Sequence, residues 1–478
     1  MRLCELLKDL QCEKITGEID VEINGLATDP DIVSKGNLYI AYKGANFDLN
    51  EHIERAVLNG AAAVVCERVE SCPVPCAVVK DGRAAVARIA RTFYGYADKK
   101  LKLIAVTGTN GKTSTCYMLK SIFDKNGNKT GIIGTLGIAY GDIFIAPELT
   151  TPDPICLHGV FADMAASGVE YVFMEVSAHA LYYDKVCGLH FEAGIFTNCT
   201  QDHLDFFKDM KSYANNKLKL FERGRCERVI INSDDALGIK IMQANPGCLT
   251  YGLENPADSF AVNIVENLEG SSFVMNLSDE LYDVKLNMPA RYNIYNALAA
   301  ATCAKALGVD IAVIAEGLAK LKSVSGRLER VAKYNGGQVF VDFAHTPDGL
   351  EKSLTSLSNL CKGNLYCLFG CGGNRDRGKR PIMGEIAAKI ADFVIITSDN
   401  PRYEDPYSII SQIEAGVKKG GGRYVAISDR EVAIEYALNL LDDEDILLVA
   451  GKGGENYQDI MGVKHSYNDN AVIKKLIS

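Results

Sequence analysis

The densest chemical signal in the chain is LIAVTGTNGKTST, where an apolar run leads into Gly108, Thr109, Asn110, Gly111, Lys112 and Thr113 and then into a helix-compatible stretch. Glycines at such a turn let successive backbone N–H groups face an anion, and the helix that follows adds the positive end of its dipole. In this pattern the lysine bridges the terminal phosphates of a nucleotide and the hydroxyl after it ligates Mg2+. The segment therefore predicts a phosphate loop for ATP. It is a variant, because the first glycine of the strict pattern would fall on Val106. A plain glycine turn is the other reading, and the conjunction of strand, turn, lysine and helix weighs against it.

Two further clusters follow apolar runs that read as later strands of the same unit: Glu175 and Ser177 in MEVSAHAL, and Asn198, Asp202 and His203 in TNCTQDHLD. Ligand residues in open parallel sheets collect where strands end. An oxygen donor such as Glu175 with an imidazole nearby suits a Mg2+ that must also hold phosphate oxygens. Taken singly, His179 and His203 also fit helix starts or packed core positions. Cys361, Cys367 and Cys371 lack the paired short spacings of a zinc site and read as buried small hydrophobes.

The elements that must position these residues are those of an α/β protein. A chain of 478 residues holds roughly three domains at about 150 residues each. Residues 1–98 read as a small α/β unit, with short apolar runs at Leu38, Ala61 and Cys76. Residues 99–325 read as a mostly parallel sheet with helical crossovers and an antiparallel annex around ENLEGSS, followed by helices at 293–307 and 311–321. Residues 326–478 restart the alternation as QVFVDF, NLYCLFG, DFVIITS, RYVAIS and DILLVAG, a Rossmann-like, doubly wound unit. Ser325 and Gly326 mark the candidate hinge.

Hydrophobic residues at 47% and charged residues at 23% are those of an ordinary globular protein. A net charge of −10 opposes general attraction to nucleic acid or anionic lipid. No apolar stretch approaches the roughly 18 residues of a membrane helix. The start MRLCELLKDL is not a secretory signal, so the fifteen cysteines read as reduced thiols in the cytoplasm.

Ten motifs then stand in a telling order: TGTNGKTST, MEVSAHAL, TNCTQDHLD, KLKLF at Lys217, ARYNIYNALAA, SGRLERV, VDFAHTPDGL, GCGGNRDRGKRP, SDNPRYEDP and GKGGENYQ. In order and spacing they resemble the Mur ligase family over nearly the whole chain. The resemblance implies a three-domain ligase in which an N-terminal domain binds a UDP-linked substrate, a central domain binds ATP and a C-terminal domain binds an amino acid. It implies that ATP phosphorylates a carboxylate and that an amine displaces the phosphate to form an amide. Such chemistry suits the residues, since a carboxylate is a poor electrophile until it carries a leaving group.

The resemblance also assigns roles. Lys112, Lys217 and His203 become catalytic, with Lys217 carboxylated to a carbamate. Thr113, Glu175, His203 and Lys217 become metal positions, while Asn293, Arg327 and Asp342 become adenine, phosphate and ribose contacts. His345 matches a family position without a firm role. Thr150, Thr151, Ser177 and Lys185 fall on positions for the UDP substrate. Arg375, Asn400, Arg402, Gly451 and Glu455 fall on those that hold the far end of meso-diaminopimelate, where guanidinium matches carboxylate and glutamate matches ammonium.

The expected reaction is thus addition of the third stem-peptide residue to UDP-N-acetylmuramoyl-L-alanyl-D-glutamate in peptidoglycan biosynthesis, by a monomer. Growth of the wall, cell shape and cell division would depend on it. Departures from the family pattern are Gly454 in place of a usual His, Pro30 and Asp31 in the first motif, Leu49 and Asn50 in the second, Leu149 before Thr150, and Ala178, Tyr183 and Lys185. These lie mainly on the acyl-substrate side. They keep open a divergent ligase that joins an amine to a different carboxylate. A nucleotide-gated scaffold is the reading from another class, and the combination of Lys112, Glu175, His203 and Lys217 argues against it.

Overall fold

The computed structural model describes residues 1–44 and 47–478. Strands and helices alternate along the chain, with N-terminal, middle and C-terminal α/β sheets, and the residues gather into two compact units. The first holds residues 1–105, 128–192 and 222–227, and the second holds 106–127, 193–221 and 228–478.

In the first unit, five short strands lie side by side in the order Cys12–Thr16, Cys76–Val79, Ala63–Cys66, Asn37–Ile40 and Gly25–Ala27, parallel apart from the first pair. Ala63–Cys66 is wholly buried, which is why it reads as an unbroken apolar run rather than an alternation. Asp81 caps helix Gly82–Phe93 by accepting from the Ala84 N–H. Further along, Thr130–Gly134 pairs in parallel with Tyr171–Glu175, both fully buried, and the hairpin Gly137–Tyr140 with Ile143–Ile145 extends them antiparallel. Tyr171–Glu175 delivers Glu175 at its C-terminal end.

The second unit contains helix Lys112–Lys125, which begins inside the predicted loop. Its strands Cys226–Asn232, Leu249–Tyr251 and Ser259–Asn267 pair in parallel, and Gly270–Leu277 and Glu280–Leu286 continue as an antiparallel meander. The annex thus has one strand more than the two segments around ENLEGSS. Glu280–Leu286 is exposed at five of its seven positions, so it carries too little apolar alternation to register in the sequence. Helix Arg291–Ala306 follows, and helix Ile311–Lys320 after it.

The remainder of the unit is a six-stranded sheet in the order Glu329–Tyr334, Gly337–Asp342, Ile446–Ala450, Leu365–Phe369, Phe393–Ile396 and Tyr424–Ala426. All five expected strands form, parallel to one another, and Glu329–Tyr334 adds an antiparallel edge. Helices Pro347–Ser358, Lys379–Ile390 and Pro406–Gly420 cover one face, while Arg430–Leu438 and Asp469–Ile477 cover the other, giving two apolar cores. Thr346 and Asp405 cap helices that open on proline, the residue whose missing N–H costs nothing at that position.

Candidate active site

The phosphate loop lies at the start of helix Lys112–Lys125 in the second unit. Gly111 is the N-cap, at φ +88°, and a Cβ there would collide with the Asn296 side chain, so both backbone and space require glycine. The Lys112 Nζ donates to the carbonyls of Gly108 and Thr109, each at 2.8 Å, so the cation is arched over the loop's own backbone. Thr113 is buried, and its Oγ1 accepts from the Arg327 guanidinium at 2.9 Å. That bond joins the loop to the segment just past the candidate hinge. Arg327 also stacks over the Phe343 ring at 4.4 Å.

The loop is braced by the next strand end. The Thr109 N–H donates to the Asn198 carbonyl, the Asn110 N–H to the Asn198 side chain, and the Thr197 hydroxyl to the Asn110 carbonyl. Thr109 Oγ1 lies 3.2 Å from the Tyr213 hydroxyl, which in turn accepts from Lys217 Nζ at 2.9 Å. Lys217 is 1% exposed. Burial drives its ammonium down to about 8, against the pull of Cys199, Asp202 and Asp235 toward the charged form. At neutral pH roughly one such lysine in ten is uncharged, and only the uncharged amine can add CO2.

His203 takes up a left-handed backbone, φ 56°, which is uncommon for a residue with a Cβ and places the ring beside Asp202. Asp202 is buried between two imidazoles, with His203 Nε2 at 3.3 Å and His345 Nε2 at 3.6 Å. Burial opposes its ionisation, yet the hydrogen bond and charge of His345, with His203 and Lys379, hold the carboxyl well below the usual carboxylate range. Asp348 makes a similar bridge, accepting from the side chains of Asn110 at 2.9 Å and Thr200 at 3.3 Å.

Asn293 and Asp342 are engaged within the protein. Asn293 donates to the Pro289 carbonyl and accepts from Asn296. Asp342 accepts from the Leu328 and Ala344 N–H groups and the Ser353 hydroxyl, and burial raises its carboxyl above the ordinary range. It thereby fixes the strand end next to the hinge. Gly326 itself sits at φ +63°, where an added Cβ would overlap the backbone of Gly453 and Gly454.

The residues expected for the amine form a second cluster of this unit. Asn400 donates to Glu455 Oε2 at 2.9 Å, and the buried Lys452 donates to both Asn400 Oδ1 and Glu455 Oε2. Arg402 has φ 51°, donates to the Gly373 carbonyl and lies 3.7 Å from Asp459. Arg375 borders it on the 372–375 turn, and Gly451, at φ +109°, leaves the central strand Ile446–Ala450.

In the first unit, Glu175 is buried and accepts from both the N–H and the hydroxyl of Thr135. Thr150 Oγ1 lies 3.2 Å from that hydroxyl, Thr151 donates to the Glu175 carbonyl, and the Ser177 N–H donates to Thr151. Lys185 reaches the Thr151 carbonyl and pairs with Asp153 at 2.8 Å. The expected acyl-substrate residues therefore converge around Glu175. Sequence reasoning missed Tyr213, Asp348, Lys452, Arg380 and Glu404. None stands in a short motif that names its role, although the last four lie inside quoted motifs. Among the described residues, no group of three or more His, Cys, Asp or Glu side chains is arranged to hold a metal ion.

A glycine-rich loop braced by a second strand end, a buried lysine and a further sheet past the candidate hinge frame the site of a ligase, and the chain belongs to the Mur ligase family. Residues 106–304 match the Mur ligase middle domain and residues 326–453 the Mur ligase glutamate ligase domain. Over its full length the chain is 41% identical to the UDP-N-acetylmuramoyl-L-alanyl-D-glutamate--2,6-diaminopimelate ligase of Caldanaerobacter subterraneus subsp. tengcongensis, covering 99% of that protein. A solved structure of a ligase of the same name is similar at 30% identity and a TM-score of 0.70, with 100% of this chain and 98% of that one covered. The MurF ligase of Thermotoga maritima in complex with ADP shares the fold at 18% identity, with a TM-score of 0.61 over 95% of this chain and 96% of that one.

Proposed function

We propose that the chain joins meso-2,6-diaminopimelate to UDP-N-acetylmuramoyl-L-alanyl-D-glutamate, with ATP converted to ADP and phosphate, the step that adds the third stem-peptide residue of peptidoglycan. The observation that carries this reading is that one compact unit holds the phosphate loop, the buried Lys217 and a receptor with two guanidinium groups and a glutamate. Full-length relatives at about 40% identity are named for the same activity.

In this reading the substrate carboxylate attacks the terminal phosphorus of ATP and ADP leaves. The amine nitrogen then attacks the acyl carbon of the resulting acyl phosphate, the C–N bond forms and phosphate departs. Lys112, arched over the loop, spreads positive charge on the transferring phosphoryl group, and Gly108 and Gly111 let the backbone approach the nucleotide, while Thr109 and Asn110, whose N–H groups are bonded to Asn198, hold the loop in shape around it. Arg327 reaches the same phosphates from beyond the hinge, and Asn293 and Asp342 shape the adenosine end. Thr150, Thr151, Ser177 and Lys185 hold the acyl substrate in the first unit.

The donors available suit Mg2+, a hard cation that takes oxygen ligands. In the second unit the buried Thr113 hydroxyl and a carbamate on the depressed Lys217 are oxygen donors and His203 adds an imidazole; in the first unit Glu175 is an oxygen donor. When bound, Mg2+ would neutralise phosphate charge.

Domains at 1–98, 99–325 and 326–478, a monomeric state, a cytoplasmic location and roles in cell shape and division complete the proposal. Among the described residues no helix is long and apolar enough to cross a membrane. The test is phosphate release from ATP with a panel of acyl substrates and amines. Release that requires both the UDP-muramoyl dipeptide and meso-diaminopimelate is expected. Release with another carboxylate, and none with the dipeptide, would assign the chain to a divergent branch of the family.

A further inference from the structure

Arg380 is the largest fully buried side chain described and has no part in the chemistry above. It projects from the first turn of helix Lys379–Ile390, at 0% exposure. Its Nη1 donates to Glu404 Oε2 at 3.0 Å and to Gln412 Oε1 at 3.1 Å, and its Nη2 donates to Glu404 Oε1 at 3.0 Å and to the Gly372 carbonyl at 3.1 Å. One guanidinium thus ties together the 372–375 turn, the 400–404 turn and helix Pro406–Gly420.

The two turns are the ones that carry Arg375 and Arg402. Glu404 Oε1 also accepts from the Asn374 N–H, and the Tyr403 N–H donates to Asn374 Oδ1. The turns touch through backbone, with the Gly373 N–H on the Asn400 carbonyl. Asn374 and Arg402 both have φ 51°, a conformation that residues with a Cβ hold only when their surroundings impose it. The Arg380 fork and the Asn374 contact together occupy both oxygens of Glu404, and its carboxyl is held down to about 2, chiefly by its hydrogen bonds from Arg380.

We infer that the buried Arg380–Glu404 pair is a positioning element that sets the spacing of the Arg375 and Arg402 guanidinium groups, and so the affinity for an amine substrate with a distal carboxylate. This rests on the proposed reading of the amine receptor. The hydrogen bonds of the pair go to the two turns and to helix Pro406–Gly420, so it acts through the residues that those turns carry. A planar fork is needed because it meets both carboxylate oxygens side by side and a carbonyl and an amide oxygen as well, four acceptors where an ammonium has three hydrogens on a single nitrogen. Gln412 meets the same guanidinium through Nη1 but belongs to helix Pro406–Gly420 and to neither turn.

The test compares Arg380→Lys, Glu404→Gln and Gln412→Ala in the full chain by steady-state phosphate release, after thermal melting has shown each variant folded. Expected is a rise of about tenfold or more in KM for meso-diaminopimelate in the first two. The KM for ATP should stay within about twofold. Gln412→Ala should match the wild type in both, and the preference for meso-diaminopimelate over L-lysine should narrow only in the first two. Glu404→Gln keeps the side-chain shape, so the test stands on it if Arg380→Lys does not fold. An unchanged KM for the amine in a folded Arg380→Lys or Glu404→Gln variant would overturn the inference. So would an equal rise in the KM for ATP, or failure of both variants to fold. If wild-type protein does not use meso-diaminopimelate at all, the proposed reading fails instead.

Discussion

The proposed nucleotide end and the proposed amine end of the second unit are built on opposite principles. The proposed phosphate loop spans six consecutive residues, and its parts are two glycines, one lysine and one hydroxyl on the first turn of a helix. The amine receptor gathers Arg375, Asn400, Arg402, Gly451 and Glu455 from three separate turns, and long side chains must be held in place by other side chains such as Arg380, Glu404 and Lys452. A backbone cradle takes its shape from local conformation and needs only a few tertiary bonds, here from Thr197 and Asn198, to hold it. A side-chain receptor is set by tertiary contacts, and it varies more readily when those contacts change.

If that contrast holds, the largest loss should come from the cradle's single irreplaceable side chain. Lys112→Ala should lower kcat by about 10²–10³-fold, the scale for removing one preorganised donor to developing charge, with the melting temperature nearly unchanged. Normal turnover in that variant would take the loop out of the mechanism. Arg402→Ala tests the other end. It should reduce kcat/KM for meso-diaminopimelate by about a hundredfold and leave ATP binding, followed by calorimetry, near the wild-type value. Equal damage to both would erase the distinction between the two ends.

Lys217 belongs to neither end alone, since it reaches the loop through Tyr213. Lys217→Ala should lose about tenfold to a hundredfold in activity, the range seen when a metal's supporting groups are removed. Added short carboxylic acids should restore part of it by supplying the missing anion. Full activity without any added acid would refute the carbamate.

A smaller effect is expected at the hinge. Gly326→Ala forces a Cβ against the backbone of Gly453 and Gly454 and a strained φ, and should cost about 1–3 kcal/mol in denaturant unfolding. Small-angle scattering of that variant with nucleotide and substrates should report a more open average than the wild type. The smallest effect lies outside both ends, at His158 in the first unit. Burial lowers this imidazole to about 4, and neither ring nitrogen has a hydrogen-bond partner. The unfolded chain binds its proton first, near pH 6.5. Its contribution is therefore complete above that value and is lost as the pH falls toward 4. His158→Leu should flatten the acid limb of stability by at most about 1.4 kcal/mol per pH unit, measured by urea titration between pH 5 and 7.5.

What the amino-acid sequence determined by itself was local. Buried strands such as Ile446–Ala450 read as apolar runs because both their faces are covered. The phosphate loop read as a loop because glycine, lysine and threonine are spaced for one helix start. Lys217 was singled out by its place in KLKLF, and the carbamate that the resemblance implies already called for a depressed pKa; the fold supplies the cause, which is burial. Exposed strands such as Glu280–Leu286 left no pattern.

Tertiary structure alone decided the partners. Tyr213 meets Thr109 across 104 residues and Asp348 meets Asn110 across 238, separations at which sequence spacing carries no information. The structure also decided that Asp342 and Asn293 are engaged with their own surroundings, and that a buried arginine ties the two arginine-bearing turns. The physical reason is the same in each case. A backbone conformation follows from neighbouring residues, whereas the position and charge state of a side chain follow from whatever the fold brings against it.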